Sequence, residues 1–287
     1  MSDDWAVPTL VRFAGREFTG GEGDWWVVQE GLTGWSEAPD PRFQLQPIPN
    51  QDGGFPVVED YVNPRTVTVI GRCRVDTQSD GPGVVEPWVN GLTKRSDLVL
   101  EVEDSARVLS SAVRCRQARA RQLTPTIYDL MFVFEAADPR RYGPVSTVAA
   151  QPAGVGSADG LQFPLFSPGY LDFGAFAVAG GFYLSNAGTA DSWPVFRVRG
   201  SLGSGFTITS NGRVLKFEAA VPLGSEVVLS PFAGGRAVMG GVDVTHYLTG
   251  SDWAPVGPGE TQLFSFAGLG AVGSTALCQV DMRDAWW

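Results

Sequence analysis

Phe206-Thr-Ile-Thr-Ser-Asn-Gly-Arg-Val-Leu-Lys-Phe217 reads as a single β-hairpin. Asn211-Gly212 are the residues a type I′ turn requires, because both central positions of that turn need φ > 0. With these two as the loop, Ser210 faces Arg213, Ile208 faces Leu215 and Phe206 faces Phe217. Phe206, Ile208, Leu215 and Phe217 then share one side, and Thr207, Thr209, Val214 and Lys216 share the other. A slip of one residue would scatter the apolar set over both faces, so the turn and the pattern fix the same register.

Working outward, most other apolar runs are short and alternate with the two-residue period of half-buried strands. Arg65-Thr-Val-Thr-Val-Ile-Gly-Arg72 places Val67 and Val69 on one face and Thr66 and Thr68 on the other. Leu98–Val102, Ala106–Val113 and Ile127–Phe134 repeat this upstream of the hairpin. Phe182–Leu184, Phe196–Val198, Val227–Leu229, Leu263–Phe266 and Leu277–Met282 are further short strands. One helix is expected from Glu86 or Pro87 to Arg95, after a Gly81-Pro82-Gly83 turn, since Val85, Trp88, Val89 and Leu92 fall at i, i+3, i+4 and i+7. The 36 Gly and 20 Pro among 287 residues, roughly a fifth of the chain, exclude a helical bundle. The fold class is therefore all-β dominated, with one helix in the first half.

The sequence divides. Residues 1–145 form a first domain in which the helix lies across a small sheet, and 146–160, which contains Gln151-Pro-Ala-Gly-Val-Gly-Ser-Ala-Asp-Gly160, reads as a linker without apolar period. Residues 161–287 have sparse charge and turn signals at the spacing of a β-sandwich. Sequence-specific nucleic-acid binding is not expected from a chain of net charge −10 and pI near 4.6. The acidic start Met1-Ser2-Asp3-Asp4-Trp5 is unlike a signal peptide, so export by the usual route is not expected.

Little in the chain points to chemistry. Cys73, Cys115 and Cys278 are widely spaced and read as reduced, buried thiols. A metal site is not expected with a single histidine, and no cofactor motif stands in context: Gly268-Leu-Gly270-Ala-Val-Gly273 has no helix or βαβ unit around it and reads as a turn. His246, three positions after Asp243, has no nucleophile elbow to serve. Glu59-Asp60 and the group Glu101, Glu103 and Asp104 are the carboxylates a glycosidase would need, yet Glu101 and Glu103 sit two apart on one strand, as on any solvated face. Trp25-Trp26 and Trp286-Trp287 are adjacent pairs whose members point oppositely in a strand. Only one of each enters a given core, which leaves the other for a subunit interface, ordinary packing or a carbohydrate platform.

Three segments together resemble the distal tail (Dit) proteins of long-tailed bacteriophages. They are Arg65–Arg72 followed by the helix and a strand; Phe132-Val-Phe-Glu-Ala-Ala-Asp-Pro-Arg-Arg-Tyr142; and Asn186-Ala-Gly-Thr-Ala-Asp-Ser-Trp-Pro-Val-Phe196. Trp253-Ala-Pro-Val-Gly-Pro-Gly-Glu-Thr-Gln-Leu-Phe264 is similar to a later loop and strand of that family. The resemblance marks Asp138, Pro139, Tyr142, Asn186, Gly188, Trp193 and Pro194 as structural motif positions, with Trp193 expected in the core. It implies a tail-tube-like β-barrel or split-barrel domain followed by a galectin-like β-sandwich. It further implies a non-enzymatic virion component, assembled in the host cytoplasm, whose six copies form a ring at the tail tip. That ring would join the tail tube to the tail-fibre or hub protein, with the tape measure protein as a further neighbour, around the channel through which DNA leaves. The alternative is a carbohydrate-binding adhesion module contacting the host surface.

Overall fold

A computed structural model describes residues 10–20, 23–42, 48–50, 52, 61–152, 180–232, 234–270, 272 and 275–287. The chain forms two compact units, Met1–Gly143 with Trp286–Trp287, and Pro144–Ala285.

The first unit is built from β1 (Leu10–Phe13), β2 (Arg16–Thr19), β3 (Trp25–Thr33), β4 (Pro41–Arg42), β5 (Tyr61–Val62), β6 (Arg65–Arg74), helix α1 (Glu86–Leu92), β7 (Leu98–Glu103), β8 (Val108–Thr124), β9 (Ile127–Ala136) and the start of β10 (Arg141–Ala150). Seven strands pair in the order β8-β7-β1-β2-β3-β6-β9, and β9 pairs back with β8, so the sheet closes into a barrel. Closure depends on the 17-residue β8, whose first part pairs with β7 and whose second part pairs with β9. A bulge between Cys115 and Gln117, with Arg116 as the extra residue, follows closely on the change of partner, Val113 being the last residue paired with β7 and Arg114 the first paired with β9.

Alternation decides what enters the barrel. Arg65, Val67, Val69, Gly71 and Cys73 of β6 are buried, as are Tyr128, Leu130, Phe132 and Phe134 of β9. Their aromatic rings meet those of other strands: Phe13 lies 5.0 Å from Phe18, Phe132 and Phe134. Helix α1 packs here through Val89 and Leu92, with Trp88 5.2 Å from Trp25 and 5.6 Å from Phe132. The helix is shorter than the expected span to Arg95. It is preceded by a π-helical turn, Gly81–Val85, where an open turn is expected. Gly81 has no room for a side chain, because a Cβ would sit 1.8 Å from the Tyr128 hydroxyl.

The second unit contains β11 (Gly181–Ser185), β12 (Val195–Arg199), β13 (Phe206–Ser210), β14 (Arg213–Phe217), β15 (Glu226–Ser230), β16 (Arg236–Met239), β17 (Val242–Asp243), β18 (Leu248–Ser251), β19 (Thr261–Gly268) and β20 (Leu277–Trp286). One sheet runs β17-β16-β15-β12-β20 and takes the later part of β10 at its edge; the other runs β11-β19-β13-β14-β18. Phe196, Val198, Val227 and Cys278 of the first sheet share a core with Phe206, Phe217, Phe264 and Phe266 of the second, which makes the unit a β-sandwich. The hairpin has the expected register, Ser210↔Arg213 to Phe206↔Phe217, with φ of 49° and 77° at Asn211 and Gly212.

Residues 146–150, expected at the start of the linker, are instead strand, the second half of β10. Residues 153–160 of that linker, and Glu59-Asp60, lie outside the described residues. All three cysteines are buried and free.

Candidate functional site

The motif residues fall into two clusters, one in each unit. In the first, the turn from β9 to β10 is held by Asp138, whose Oδ2 accepts the Tyr142 hydroxyl at 2.6 Å and whose Oδ1 accepts the Arg140 amide at 3.1 Å. Burial, then the neighbouring Asp138 charge, pushes the Tyr142 phenol well above its ordinary value. Pro139 contributes its carbonyl, which accepts Nε of Arg65 at 2.7 Å.

Arg65 was not singled out by its sequence, and the structure makes it central. It is 3 % exposed, and its Nη1 donates to the carbonyls of Gly34, Trp35 and Glu37 at 2.8, 3.1 and 2.6 Å. Burial lowers its affinity for its proton, partly offset by Glu37. A readable signal existed: Arg65 is in phase with the inward Val67 and Val69, a position where an arginine needs buried acceptors. Buried Arg141 stands 5.7 Å over the Trp35 ring and donates to the Trp287 carbonyl, and burial with repulsion from Arg65 and Arg107 lowers its pKa to about 10. Trp286 packs on the first unit's core beneath Arg107, and Arg140 lies over Trp287. The terminal pair thus has a structural assignment that the sequence alone does not supply.

In the second unit Asn186 is 1 % exposed and uses its whole amide. Its Nδ2 donates to the carbonyls of Ala190, Val256 and Gly257 at 2.7, 3.0 and 3.3 Å, and its Oδ1 accepts the amides of Gly188 and Ala285 at 3.0 and 3.2 Å. Gly188 must be glycine, because a Cβ there would lie 1.8 Å from the Ala285 carbonyl oxygen. Pro194 is buried. Trp193 corrects the expectation of a core residue: it is only half-buried and lies outside the packed cluster of the sandwich. Its neighbours Ser192 and Pro194 point inward, so strand-like alternation turns Trp193 the other way.

His246 is exposed on a short 3₁₀ turn with its ring 3.9 Å from that of Tyr247, while Asp243 accepts the Thr245 amide at 2.9 Å. Among the described residues no group of three or more His, Cys, Asp or Glu side chains could hold a metal ion. No helix among them is long and apolar enough to cross a membrane.

Two outward faces of the barrel are organised by charge. Across β2-β1-β7, Arg12 is in register with Glu17 on one side and Glu101 on the other. It bonds them at 3.0 and 2.7 Å and reaches Glu103 at 3.3 Å, so the two carboxylates considered for glycosidase chemistry are ion-paired to one arginine. Across β6-β9-β8 the order of signs is inverted: Asp129 is in register with Arg72 and with Arg121. Arg74, Arg114, Arg116 and Arg119 are exposed on these strands, and Ile70, Met131 and Val133 lie between them on the same face. Trp26 stands opposite Arg72 in the adjacent strand, while Trp25 turns inward onto Phe18. The Trp25-Trp26 pair therefore does place its members on opposite faces.

No family model matches the sequence, and no curated protein matches it. Solved structures do. The Dit protein of phage SPP1, described as a paradigm of the hub adsorption apparatus in phages infecting Gram-positive bacteria, aligns over 97 % of this chain and 99 % of its own with TM-score 0.64 and 16 % identity. A chain of the phage P2 baseplate in its activated, calcium-bound conformation aligns over 96 % and 97 % with TM-score 0.54 and 6 % identity. The alignments span the barrel and the sandwich alike, and the first 60 residues, which precede every segment that carries the sequence resemblance, supply three of the barrel strands. The fold of this chain is that of the phage distal tail, or hub, proteins.

Proposed function

We propose that this chain is a non-enzymatic structural component of a phage virion, a distal tail hub whose six copies form a ring around the DNA exit channel. The observation that carries this reading is the end-to-end fold similarity to the SPP1 hub protein, with nearly the whole of both chains aligned. In this role the ring joins the tail tube above to the tail-fibre or hub protein below, with the tape measure protein as a further neighbour, in a siphovirus tail assembled in the host cytoplasm. The acidic balance supports passage of a polyanion without retention.

Mass photometry and negative-stain electron microscopy of the purified chain test this directly. Rings of six are expected, and a chain that stays monomeric at high concentration, alone and with tail proteins present, would sink the reading. The alternative, carbohydrate binding by the sandwich, is favoured only by the half-exposed Trp193. Glycan binding lost on Trp193→Ala would support it.

A further inference from the structure

The two charged faces of the barrel are complementary to each other. On β6-β9-β8 the central row reads Arg72, Asp129, Arg121; on β2-β1-β7 it reads Glu17, Arg12, Glu101. Each row crosses three neighbouring strands, so both have the same spacing of about 4.8 Å per step. Laid on one another they set every charge against its opposite. The surroundings reinforce the match. The first face carries six exposed arginines (72, 74, 114, 116, 119 and 121) against Asp129 and Glu135, and the second adds Glu103 beside Arg12. Within one barrel Arg72 pairs with Asp129 and Arg116 with Glu135, which leaves Arg74, Arg114, Arg119 and Arg121 without a carboxylate partner among the described residues.

The faces also sit where they cannot meet within one molecule. In the closed order β8-β7-β1-β2-β3-β6-β9, the centre of the basic face, β9, is three strands from the centre of the acidic one, β1. Two different, complementary patches on opposite sides of one subunit make a heterologous contact, the type that generates rings when the rotation closes. The basic face has the composition of an interface: an apolar strip of Ile70, Met131 and Val133 is rimmed by arginines. Nineteen of the chain's 21 basic residues are arginine, the residue suited to bidentate pairing with carboxylates.

We propose that the β6-β9-β8 face of one copy docks on the β2-β1-β7 face of a second copy of this chain, with the Arg72–Asp129–Arg121 row over the Glu17–Arg12–Glu101 row. The proposal rests on the ring reading above and names the surfaces that would build the ring.

The test uses the full chain and two double variants, Arg72→Glu with Arg121→Glu on the basic face, and Glu17→Lys with Glu101→Lys on the acidic face. Circular dichroism checks that each is folded, and Arg72→Gln with Arg121→Gln serves as a milder version. By mass photometry each double variant should associate at least tenfold more weakly than the wild type, and raised salt should weaken the wild type in the same direction. Mixing the two should restore rings in which the variants alternate, because the intact faces pair with each other and the two reversed faces are again complementary. A chain carrying all four reversals should assemble again. If the wild type forms rings and the variants form them equally well, the contact lies elsewhere and the hub reading stands. If the wild type never associates, both fall. Binding of a short DNA duplex by a monomeric wild type, lost with the basic-face variant, would overturn the proposal by making that face a polyanion site.

Discussion

The two units bury comparable cores and differ in how they use charge. The barrel unit carries fifteen basic and twenty-one acidic residues, the sandwich unit six and ten, in segments of nearly equal length. In the sandwich the polar knot is neutral: one amide, Asn186, ties five backbone groups. In the barrel the corresponding work falls to ions, with Arg65 and Arg141 buried among carbonyls and aromatic rings and the remaining charges arranged in rows outside. Neutral amides satisfy buried backbone without the desolvation cost of a charge. The unit that also presents ordered charge outside is the one proposed to assemble.

The strongest way to break this contrast is Asn186→Ala. It strands the Ala190 carbonyl and the Gly188 and Ala285 amides in a buried site, while the Val256 and Gly257 carbonyls keep the amides of Ser192 and Glu260, and a loss of about 3–5 kcal/mol is expected at roughly 1–3 kcal/mol per unsatisfied group with partial relaxation. Urea denaturation with hydrogen exchange should show amide protection falling in β11, β12 and β20 while β6 and β9 keep theirs; unchanged protection throughout would remove Asn186 from its central place. Phe132→Ala is the counterpart in the barrel, where the ring is fully buried and touches Phe13, Phe18 and Trp88. A loss of about 3–4 kcal/mol is expected, with protection lost in β6, β8 and β9 instead.

Tyr142→Phe probes the ionic side of the comparison more gently. Removing the bond to Asp138 should lower stability by about 1.5–3 kcal/mol, the range for a hydrogen bond to a charged group. The phenol's folded pKa is raised above the ordinary value of 10.0, so the stabilisation is present at neutral pH and is lost as pH rises above that value, where only the unfolded chain ionises. Urea midpoints between pH 8 and pH 11 should therefore fall more steeply for wild type than for the variant, and parallel curves would contradict the assignment. The smallest effect concerns Ala14, which holds a φ of 49° in the β1–β2 turn. Ala14→Gly should stabilise by about 0.5 kcal/mol, relief of left-handed strain exceeding the added chain entropy; a drop in melting temperature would show that the methyl's packing matters more.

That turn also explains what the sequence hides. Asn211-Gly212 announces its hairpin, whereas Ala14-Gly15, with φ of 49° and 75°, makes a turn of the same handedness from a residue that does not advertise it. Strands β1 to β3 are consequently illegible, although they complete the barrel. The far half of β8 escapes for another reason: in Gln117-Ala-Arg-Ala-Arg121 the inward residues are alanines, too small to give a strong apolar period. Arg-rich alternation of this kind is a strand signal once the inward Ala118 and Ala120 are counted with their pairing partners Phe132 and Leu130. The motif positions are legible through resemblance and Arg65 only through its phase with Val67 and Val69, whereas nothing in the sequence around Arg141 distinguishes an arginine that finds a buried carbonyl from one that finds water.

Arg116 sits at one of the barrel's breaks in register. An extra residue on one side of a ladder bends and twists that strand locally, and here the bulge falls just after β8 leaves β7 for β9. Pairing on both sides would survive deletion of Arg116, since Cys115 and Gln117 already face consecutive residues of β9. What would be lost is curvature. A shortened chain would keep every strand and every ladder partner on paper, yet would have to close its cylinder with a straighter stave, so the shape of this unit hangs on a residue whose backbone has no partner in the ladder.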